Sequence, residues 1–392
     1  MGLYKTTPPL SDRMGALWTL STIRGAAVIE FGCMGHMAYG RTFLHRMGAY
    51  GAGLFSTHIK ETDIALGDVT RLHEAVRQVI EEERVKTIFL IPSSVPEIIG
   101  IDLPAIAIEL SAKYQGIRFI PFETGGIEKT LLVLAEAFSR DGLRTKQPSY
   151  NIIGSCADMF RFQADAEELK RIMGGAFQMK CLCTLTSDTD DNKLERIGES
   201  HVNLVIRREG VAAAKYLEQR FGTPYLLARP YGIEGTRNWI EKVGKLAEVE
   251  PNDAFVVDQT ERMRAQIDPM EVFLRRFWQG HGEECRLIVI GHPDVVSGIT
   301  TYGKEQFGFR EYQCYGEDPD MKDERLMELA AAGKTRGVLM GSEELLRLAG
   351  KGKELQIANP DSSWRHAYEP PLVGFRGAVH LGAMWVNEMM KK

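Results

Sequence analysis

The chain alternates short apolar runs with longer segments in which apolar and polar residues recur with a helical period. Runs of about four to eight apolar residues, bounded by glycine, serine or polar residues, are typical of buried parallel strands. The apolar runs predict strands at residues 26–31, 87–91, 117–121, 150–153, 179–185, 202–206, 225–228, 286–290 and 337–340.

The segments between these runs are amphipathic. In residues 71–83, apolar side chains recur at i, i+4, i+7 and i+8, which places them on one face of a helix. Residues 127–138 and 343–349 follow the same pattern. Strands that alternate with helices are typical of βαβ units, in which helices cover the faces of a parallel sheet. The expected fold class is therefore α/β.

Two interruptions divide this pattern into three parts. Residues 140–149 are polar and contain glycine and proline, directly before a new strand. Residues 250–279 form a long, charged helical stretch ahead of the strand at 286–290. We therefore predict three Rossmann-like domains, each with a mostly parallel sheet flanked by helices. Their predicted ranges are 1–148, 149–282 (which includes the connecting helix) and 283–392.

Composition narrows the class of protein. Of the 392 residues, 44% are hydrophobic and 26% are charged, as in ordinary globular domains. The formal net charge of −5 gives no reason to expect a nucleic acid or an anionic membrane as partner. The sequence shows neither a signal peptide nor an apolar run of about 18 residues, so we expect a cytoplasmic protein with reduced cysteines. A GxxxxGK[ST] motif is absent from the sequence, which argues against ATP hydrolysis through a phosphate-binding loop.

Cys33 stands in a setting suited to a metal ligand. It follows a predicted strand closely and has glycines on both sides, at Gly32 and Gly35. Backbone N–H groups in such a turn can approach the sulfides of an iron–sulfur cluster. His36 could hydrogen-bond a sulfide or donate a proton, or serve only as a turn histidine. Cys156 also follows a strand, at the edge where doubly wound folds bind ligands, so it could line a pocket.

Several segments, in this order, resemble component 1 of nitrogenase and its relatives, and together they span nearly the whole chain. The landmarks are the strand that ends in Gly32-Cys33, residues 56–68 (STHIKETDIALGD), residues 91–102 (IPSSVPEIIGID), residues 201–205 (HVNLV), residues 221–225 (FGTPY) and residues 374–378 (GFRGA).

The resemblance implies a fold, a cofactor and two partners. Proteins of this family have three Rossmann-like domains per subunit and pair as related subunits. A 4Fe–4S-type iron–sulfur cluster lies between the paired subunits and is held by cysteines from both. A separate ATP-hydrolysing iron–sulfur protein docks there and delivers low-potential electrons. For this chain, the resemblance implies an oxidoreductase subunit that pairs with a paralogous subunit.

The chain departs from the family at the cluster ligands. The family's subunits offer three cluster cysteines, of which Cys33 matches the middle one, while Ser11 and Ser94 stand in place of the other two. One thiolate cannot hold a cluster that requires about four ligands. Either the partner supplies the others, or the cluster is lost. Cys33 is accordingly the expected metal ligand, and Ser94, Ser11 and Cys156 are further candidates for cofactor binding.

The family's active-site cofactor ligands are also missing. Arg207 falls roughly where the alpha chain has its cofactor cysteine, and His366 lies near the position of the cofactor histidine. An iron–molybdenum cofactor is therefore not expected. We interpret two pairs of basic residues first as solvated surface pairs, although a guanidinium could also bind an anionic substrate. They are Arg365-His366 and Arg207-Arg208. The catalytic residues stay open, with His36, His366 and Arg365 as candidates.

Three functions follow from these observations. The first is a subunit of a nitrogenase-like reductase, which passes electrons from an ATP-dependent iron–sulfur protein through an interface cluster to a substrate that the sequence does not identify. The second is a scaffold for cofactor assembly, similar to the maturation proteins of the same family. The third is a cluster-free binding or transferase protein built from Rossmann units, with a likeness to nitrogenase that extends only to the fold.

Overall fold

The structure is a computed structural model that describes residues 11–46, 51–123, 125–280, 285–315, 328, 337–349, 354–359 and 370–391. The strands are β1 (Ile23–Arg24), β2 (Ala26–Phe31), β3 (Gly53–Ser56), β4 (Thr87–Pro92), β5 (Arg118–Pro121), β6 (Ser149–Ser155), β7 (Lys180–Thr186), β8 (Thr189–Asp190), β9 (Val202–Val205), β10 (Tyr225–Leu227), β11 (Arg286–Gly291), β12 (Arg310–Tyr315), β13 (Gly337–Ser342) and β14 (Glu354–Ala358).

The α-helices are α1 (Asp12–Leu20), α2 (Met34–Arg46), α3 (Glu61–Leu66), α4 (Thr70–Glu83), α5 (Ser94–Ile98), α6 (Leu103–Lys113), α7 (Gly126–Phe138), α8 (Phe162–Phe177), α9 (Asp191–Glu195), α10 (Val211–Phe221), α11 (Gly232–Ala247), α12 (Asp253–Gly280), α13 (Pro293–Phe307), α14 (Glu343–Ala349) and α15 (Gly374–Met390). Short 3₁₀ turns cover Ile197–Glu199 and Arg208–Gly210.

Three four-stranded sheets organise the part of the molecule that the structure describes. Their strand orders are β3-β2-β4-β5, β10-β9-β6-β7 and β12-β11-β13-β14, and the strands of each sheet pair in parallel. Parallel neighbours require crossovers, and the helices between successive strands supply them. The α/β fold class with parallel sheets flanked by helices is thus confirmed. The sheets lie within the predicted ranges 1–148, 149–282 and 283–392, whose boundaries stay a prediction.

Each predicted strand is present, but five strands escaped prediction: the two-residue strands β1 and β8 and the longer strands β3, β12 and β14. These three longer strands lie at the edge of their sheets. An edge strand has one open side, so its residues need not be as apolar as those of a central strand. The sequence REYQCY of β12 is mostly polar, whereas RLIVIG of the central β11 carries a continuous apolar run.

The first and middle sheets are joined through a separate two-stranded ribbon. Strand β1 pairs in parallel with β8, with Ile23 opposite Thr189. The Thr22 hydroxyl donates to the backbone oxygen of Thr186 at 3.0 Å, and both residues are buried. Because these contacts join distant parts of the chain, they hold the first sheet against the middle one.

Helix α15 returns from the third sheet to the middle one. Its N-terminal Gly374 N–H donates to the Pro230 carbonyl at 2.8 Å, and the helix packs against α11 and α12. Trp385 on α15 is fully buried against aromatic side chains that follow β11. Its ring centroid lies 5.7 Å from that of Tyr302 and 5.2 Å from that of Phe307. No helix among the described residues is long and apolar enough to cross a membrane.

Replacing this tryptophan tests its role. We expect Trp385→Ala to lower the free energy of unfolding by about 3–5 kcal/mol, because it removes a large buried ring and leaves a cavity. Urea unfolding followed by circular dichroism measures the change. Asn387→Ala, at an exposed position on the same helix, is the control and should change stability little. Equal effects of the two variants would contradict the packing role of α15.

Candidate functional site

The turns after β2 and β4 lie side by side at the carboxyl edge of the first sheet. Phe31 at the end of β2 is paired with Pro92 at the end of β4. Cys33 and Ser94 each come two residues later, and both are exposed. Since neighbouring parallel strands end at the same edge, the topology brings these two predicted site residues to one place, called here the Cys33 edge.

Gly32 allows the turns at this edge to approach one another. A Cβ atom on this residue would lie only 2.4 Å from Cβ of Ser93, so no other residue type fits without a shift of the backbone. The Gly32 N–H donates to Oγ1 of Thr57 at 3.0 Å, and its carbonyl accepts from the Ile59 N–H at 3.0 Å. The landmark segments at 56–68 and 91–102 therefore converge on the turn that carries Cys33.

The two serines at the expected cysteine positions are engaged in hydrogen bonds within the chain. The Ser11 hydroxyl caps α1 and accepts from the Met14 N–H at 3.4 Å. The Ser94 hydroxyl accepts from Nη1 of Arg13 at 3.1 Å. Each hydroxyl would also have to lose its proton to bind iron as an alkoxide. This geometry favours a hydrogen-bonding role for both serines.

Cys33 fits the role of a cluster ligand better than either serine does. Its thiol is free and exposed, beside a turn whose backbone is opened by glycine. Among the described residues of this edge, it is the one thiol. The residues present therefore fit an iron–sulfur cluster only if another chain supplies the remaining ligands.

A buried carboxyl group lies beneath the Cys33 edge. Glu30 is the penultimate residue of β2, and Oε1 of its carboxyl group lies 3.6 Å from Nε of Arg13. Burial raises the pKa of Glu30 from 4.5 to about 7, and the Arg13 charge opposes this shift only in part. The edge therefore holds a carboxyl group that titrates near neutral pH.

Cys156 occupies a different environment. It follows β6 directly, as predicted, but its side chain is fully buried in the core to which all three sheets contribute. Burial raises the pKa of its thiol to about 12, and the Thr186 hydroxyl donates to its sulfur at 3.8 Å. A neutral, enclosed thiol is a poor metal ligand, so the structure favours a core role for Cys156.

Three predicted catalytic candidates cannot be placed in the site. His36 belongs to α2, but its side chain lies outside the described part of the structure. Arg365 and His366 lie outside the described residues altogether. Their roles stay predictions.

A second set of polar residues lies where the middle and third sheets meet. The guanidinium group of Arg207, two residues beyond β9, donates from Nη1 to both carboxylate oxygens of Asp158 at 2.8 and 2.7 Å. Its Nε donates to Oε2 of Glu209 at 2.8 Å. The Arg207 side chain is only 1% exposed. Burial opposes its charge, but Asp158 and Glu209 raise the pKa of Arg207 well above its usual range.

The third sheet extends this network. Nε2 of His292, which follows β11 directly, lies 3.0 Å from Oε1 of Glu209. Nδ1 of His292 accepts from the Asp294 N–H at 3.2 Å, so Nε2 carries a proton and donates it to Glu209. Asp294 accepts from Nη2 of Arg208 at 3.0 Å. The set Asp158, Arg207, Glu209, His292 and Asp294 is called the Arg207 junction.

Three members of the junction have the chemistry of metal ligands. Single ligand atoms of Glu209, His292 and Asp294 lie within 4.8 Å of one another. Burial alone would raise the pKa of Glu209, but the hydrogen bond from His292 and the charge of Arg207 hold it well below its usual range. Glu209 accepts from Arg207 and His292, and Asp294 accepts from Arg208, so these three residues belong to an ion-pair network rather than to an open metal site.

The interpretation of residues 207–208 as a solvated surface pair is wrong for Arg207. The side chain is buried because its carboxylate partners come from a neighbouring strand end and from the turn that follows β9. The sequence reasoning also missed Asp158 and His292. A signal was present, since both are polar residues that come shortly after a buried apolar run.

Comparison with known families gives one match over nearly the whole chain. The model of the family described as Nitrogenase component 1 type Oxidoreductase matches residues 11–390.

Curated relatives include proteins of two groups. The chain is 24% identical over 364 residues to the nitrogenase iron-molybdenum cofactor biosynthesis protein NifE of Bradyrhizobium diazoefficiens, covering 83% of this chain and 63% of that protein. It is 29% identical over 341 residues to a subunit of the light-independent protochlorophyllide reductase of Rhodopseudomonas palustris, covering 76% of this chain and 60% of that subunit. The corresponding subunit of Roseobacter denitrificans is 29% identical over 161 residues, covering 41% of this chain and 30% of that subunit. The chain thus spans between 30% and 63% of these relatives' length.

Solved structures show the same fold. A structure titled "Nitrogenase Cp1 at pH 6.5" superposes with a TM-score of 0.79, covering 100% of this chain and 94% of that one. The sequence identity is 17%, so this likeness bears on the fold alone.

The buried carboxyl group of Glu30 predicts a pH-dependent stability. Because its pKa is about 7 in the folded chain and 4.5 ordinarily, the unfolded chain releases the proton first as the pH rises. Wild-type stability therefore falls between about pH 4.5 and 7. Glu30→Gln removes this loss. The free energy of unfolding of the variant, measured relative to wild type, should therefore increase by on the order of 2–3 kcal/mol from about pH 5 to pH 8.

Urea unfolding at both pH values measures this difference. Glu61→Gln, at an exposed carboxylate near the same edge, controls for the loss of one negative charge. If the Glu30→Gln and wild-type stabilities stay parallel over this interval, the assignment of the titration to Glu30 is wrong.

Proposed function

Because the chain belongs to the nitrogenase component 1 type oxidoreductase family, we propose that it is one subunit of a nitrogenase-like reductase. In this proposal it pairs with a paralogous subunit, accepts low-potential electrons from an ATP-dependent iron–sulfur protein, and passes them on toward a substrate. The observation that carries the proposal is the exposed thiol of Cys33 at the carboxyl edge of the first sheet.

Apolar side chains near this edge support a partner surface. Leu66, the last residue of α3, is 82% exposed, and Ile98, the last residue of α5, is 83% exposed. These helices follow β3 and β4, the two strands that flank β2. Large exposed apolar residues on both sides of a candidate ligand favour a protein interface over a solvated face.

The residues of this chain have different roles at the Cys33 edge. Cys33 would bind one iron through its thiolate, and the partner's cysteines would supply the other ligands. Arg13 keeps the Ser94 hydroxyl in a hydrogen bond and brings a positive charge to the buried Glu30 carboxyl group. When bound, an iron–sulfur cluster supplies one-electron transfer. ATP hydrolysis belongs to the separate partner, consistent with the absence of GxxxxGK[ST] from this sequence.

Iron content tests the ligand directly. The chain is purified anaerobically with its paralogous subunit, and iron and acid-labile sulfide are measured. We expect Cys33→Ala to lose most of both, because no neighbouring serine replaces the thiolate. Cys156→Ala is the matched control and should retain both, since that thiol is buried and neutral.

Two results would contradict the proposal. One is a wild-type complex without iron. The other is full retention of iron and sulfide by Cys33→Ala in a complex that still assembles, as judged by size-exclusion chromatography.

A scaffold for cofactor assembly is the second candidate function, favoured by the similarity to NifE over 83% of this chain. Reduction kinetics distinguish the two functions. In a reductase, the cognate ATP-dependent protein should bleach the visible absorbance of the iron-loaded complex only when ATP is present, and repeated turnover should follow. Iron loading without ATP-dependent reduction would favour the scaffold.

A further inference from the structure

We propose that Arg207 fills the junction between the middle and third sheets, so that this chain binds neither substrate nor cofactor there. If the proposed function holds, the substrate then binds at another place in the two-subunit complex. The inference about Arg207 itself rests on this chain alone.

The junction occupies the place where a ligand would be expected. Asp158, Arg207 and His292 follow the carboxyl ends of β6, β9 and β11. Ligands of open α/β sheets bind in the crevice just outside such strand ends. Here the Arg207 side chain takes that position, and it is only 1% exposed to solvent.

The hydrogen bonds of Arg207 already engage two carboxylate groups of the same chain. Its Nη1 contacts both carboxylate oxygens of Asp158, and its Nε donates to Glu209. A bound anion would have to displace two carboxylates that belong to the same chain. A bound cation would meet the guanidinium charge in a site of low dielectric.

The backbone is adapted to the arginine. Gly154, the penultimate residue of β6, has φ = +98°, which side-chain-bearing residues rarely adopt. A Cβ atom there would lie 2.5 Å from Cγ of Arg207. The glycine therefore makes room for the aliphatic part of the arginine. This observation is independent of the ion pairs and indicates the same occupant.

Further contacts close the junction from the third sheet. His292 donates to Glu209, and Arg208 pairs with Asp294. Nδ2 of Asn359, which follows β14, donates to the Asp158 carbonyl at 3.0 Å. The two sheets are thus hydrogen-bonded across the place that a ligand would enter.

A second buried ion pair lies at the neighbouring strand end. Nη2 of Arg229, two residues beyond β10, lies 2.5 Å from Oδ2 of Asp165, and both side chains are buried. Oδ1 of Asp165 also accepts from the Leu372 N–H at 2.7 Å. The carboxyl ends of β6, β9 and β10 are therefore all closed by internal pairs.

Chemical rescue of an arginine deletion tests the inference. Arg207→Ala in the full chain should lower the melting temperature by on the order of 5–10 °C, because the partly buried carboxylates of Asp158 and Glu209 lose their partner. Methylguanidinium at about 10 mM should restore at least half of that loss by occupying the vacated space. It should not raise the melting temperature of wild type. Arg208→Ala, at the exposed neighbouring arginine, is the matched control and should show no rescue.

Three results would overturn the inference. The first is an Arg207→Ala variant that melts at the wild-type temperature. The second is equal effects of methylguanidinium on the variants at positions 207 and 208. The third is a rise in the wild-type melting temperature with zinc chloride that His292→Ala abolishes, since this would show an open metal site.

A milder variant keeps the test decisive if Arg207→Ala does not fold. Arg207→Lys retains the charge but cannot contact both carboxylates with a planar fork. It should therefore melt below wild type, and a wild-type melting temperature would contradict the inference. In the two-subunit complex, Arg207→Lys should leave the iron content unchanged. Iron retention by Cys33→Ala would instead defeat the proposed function and leave the Arg207 result standing.

Discussion

The parallel direction of the paired strands is the constraint on which the rest of this structure depends. In a parallel sheet all strands end at the same edge, so the turns that follow them are brought together whatever their separation in sequence. This constraint brings Cys33 and Ser94 to one edge of the first sheet. It also brings Asp158 and Arg207 together at the carboxyl edge of the middle sheet, where His292 reaches them from the third.

The same constraint has opposite outcomes at these two places. At the Cys33 edge a free thiol is exposed, and large apolar residues on α3 and α5 stay uncovered. At the Arg207 junction every polar member has a partner from within the chain, and the guanidinium group is shielded from water. The Cys33 edge therefore leaves a thiol and apolar side chains open to solvent, whereas the polar groups of the Arg207 junction are paired within the chain.

Local patterns sufficed to predict the central strands and the turn of Cys33, because a continuous apolar run and a flanking glycine are both visible in the sequence. The edge strand β12 was missed because its mostly polar residues carry no such run. Arg207 was misjudged for a different reason. Its burial depends on Asp158, 49 residues away, and on a histidine that reaches Glu209 from 83 residues away. Only tertiary structure shows that charges so far apart in sequence neutralise one another.

The energetics of a buried ion pair explain why such a junction persists once formed. Replacing a whole buried network by apolar residues can be nearly neutral, but removing one member leaves an uncompensated charge and is strongly destabilising. The single side chain of Arg207 contacts two carboxylates, and the absence of a Cβ atom at Gly154 leaves room for it. Opening a ligand-binding crevice here would therefore require changes at Arg207, Asp158 and Glu209 together, because a change at one of them leaves its partners as uncompensated charges.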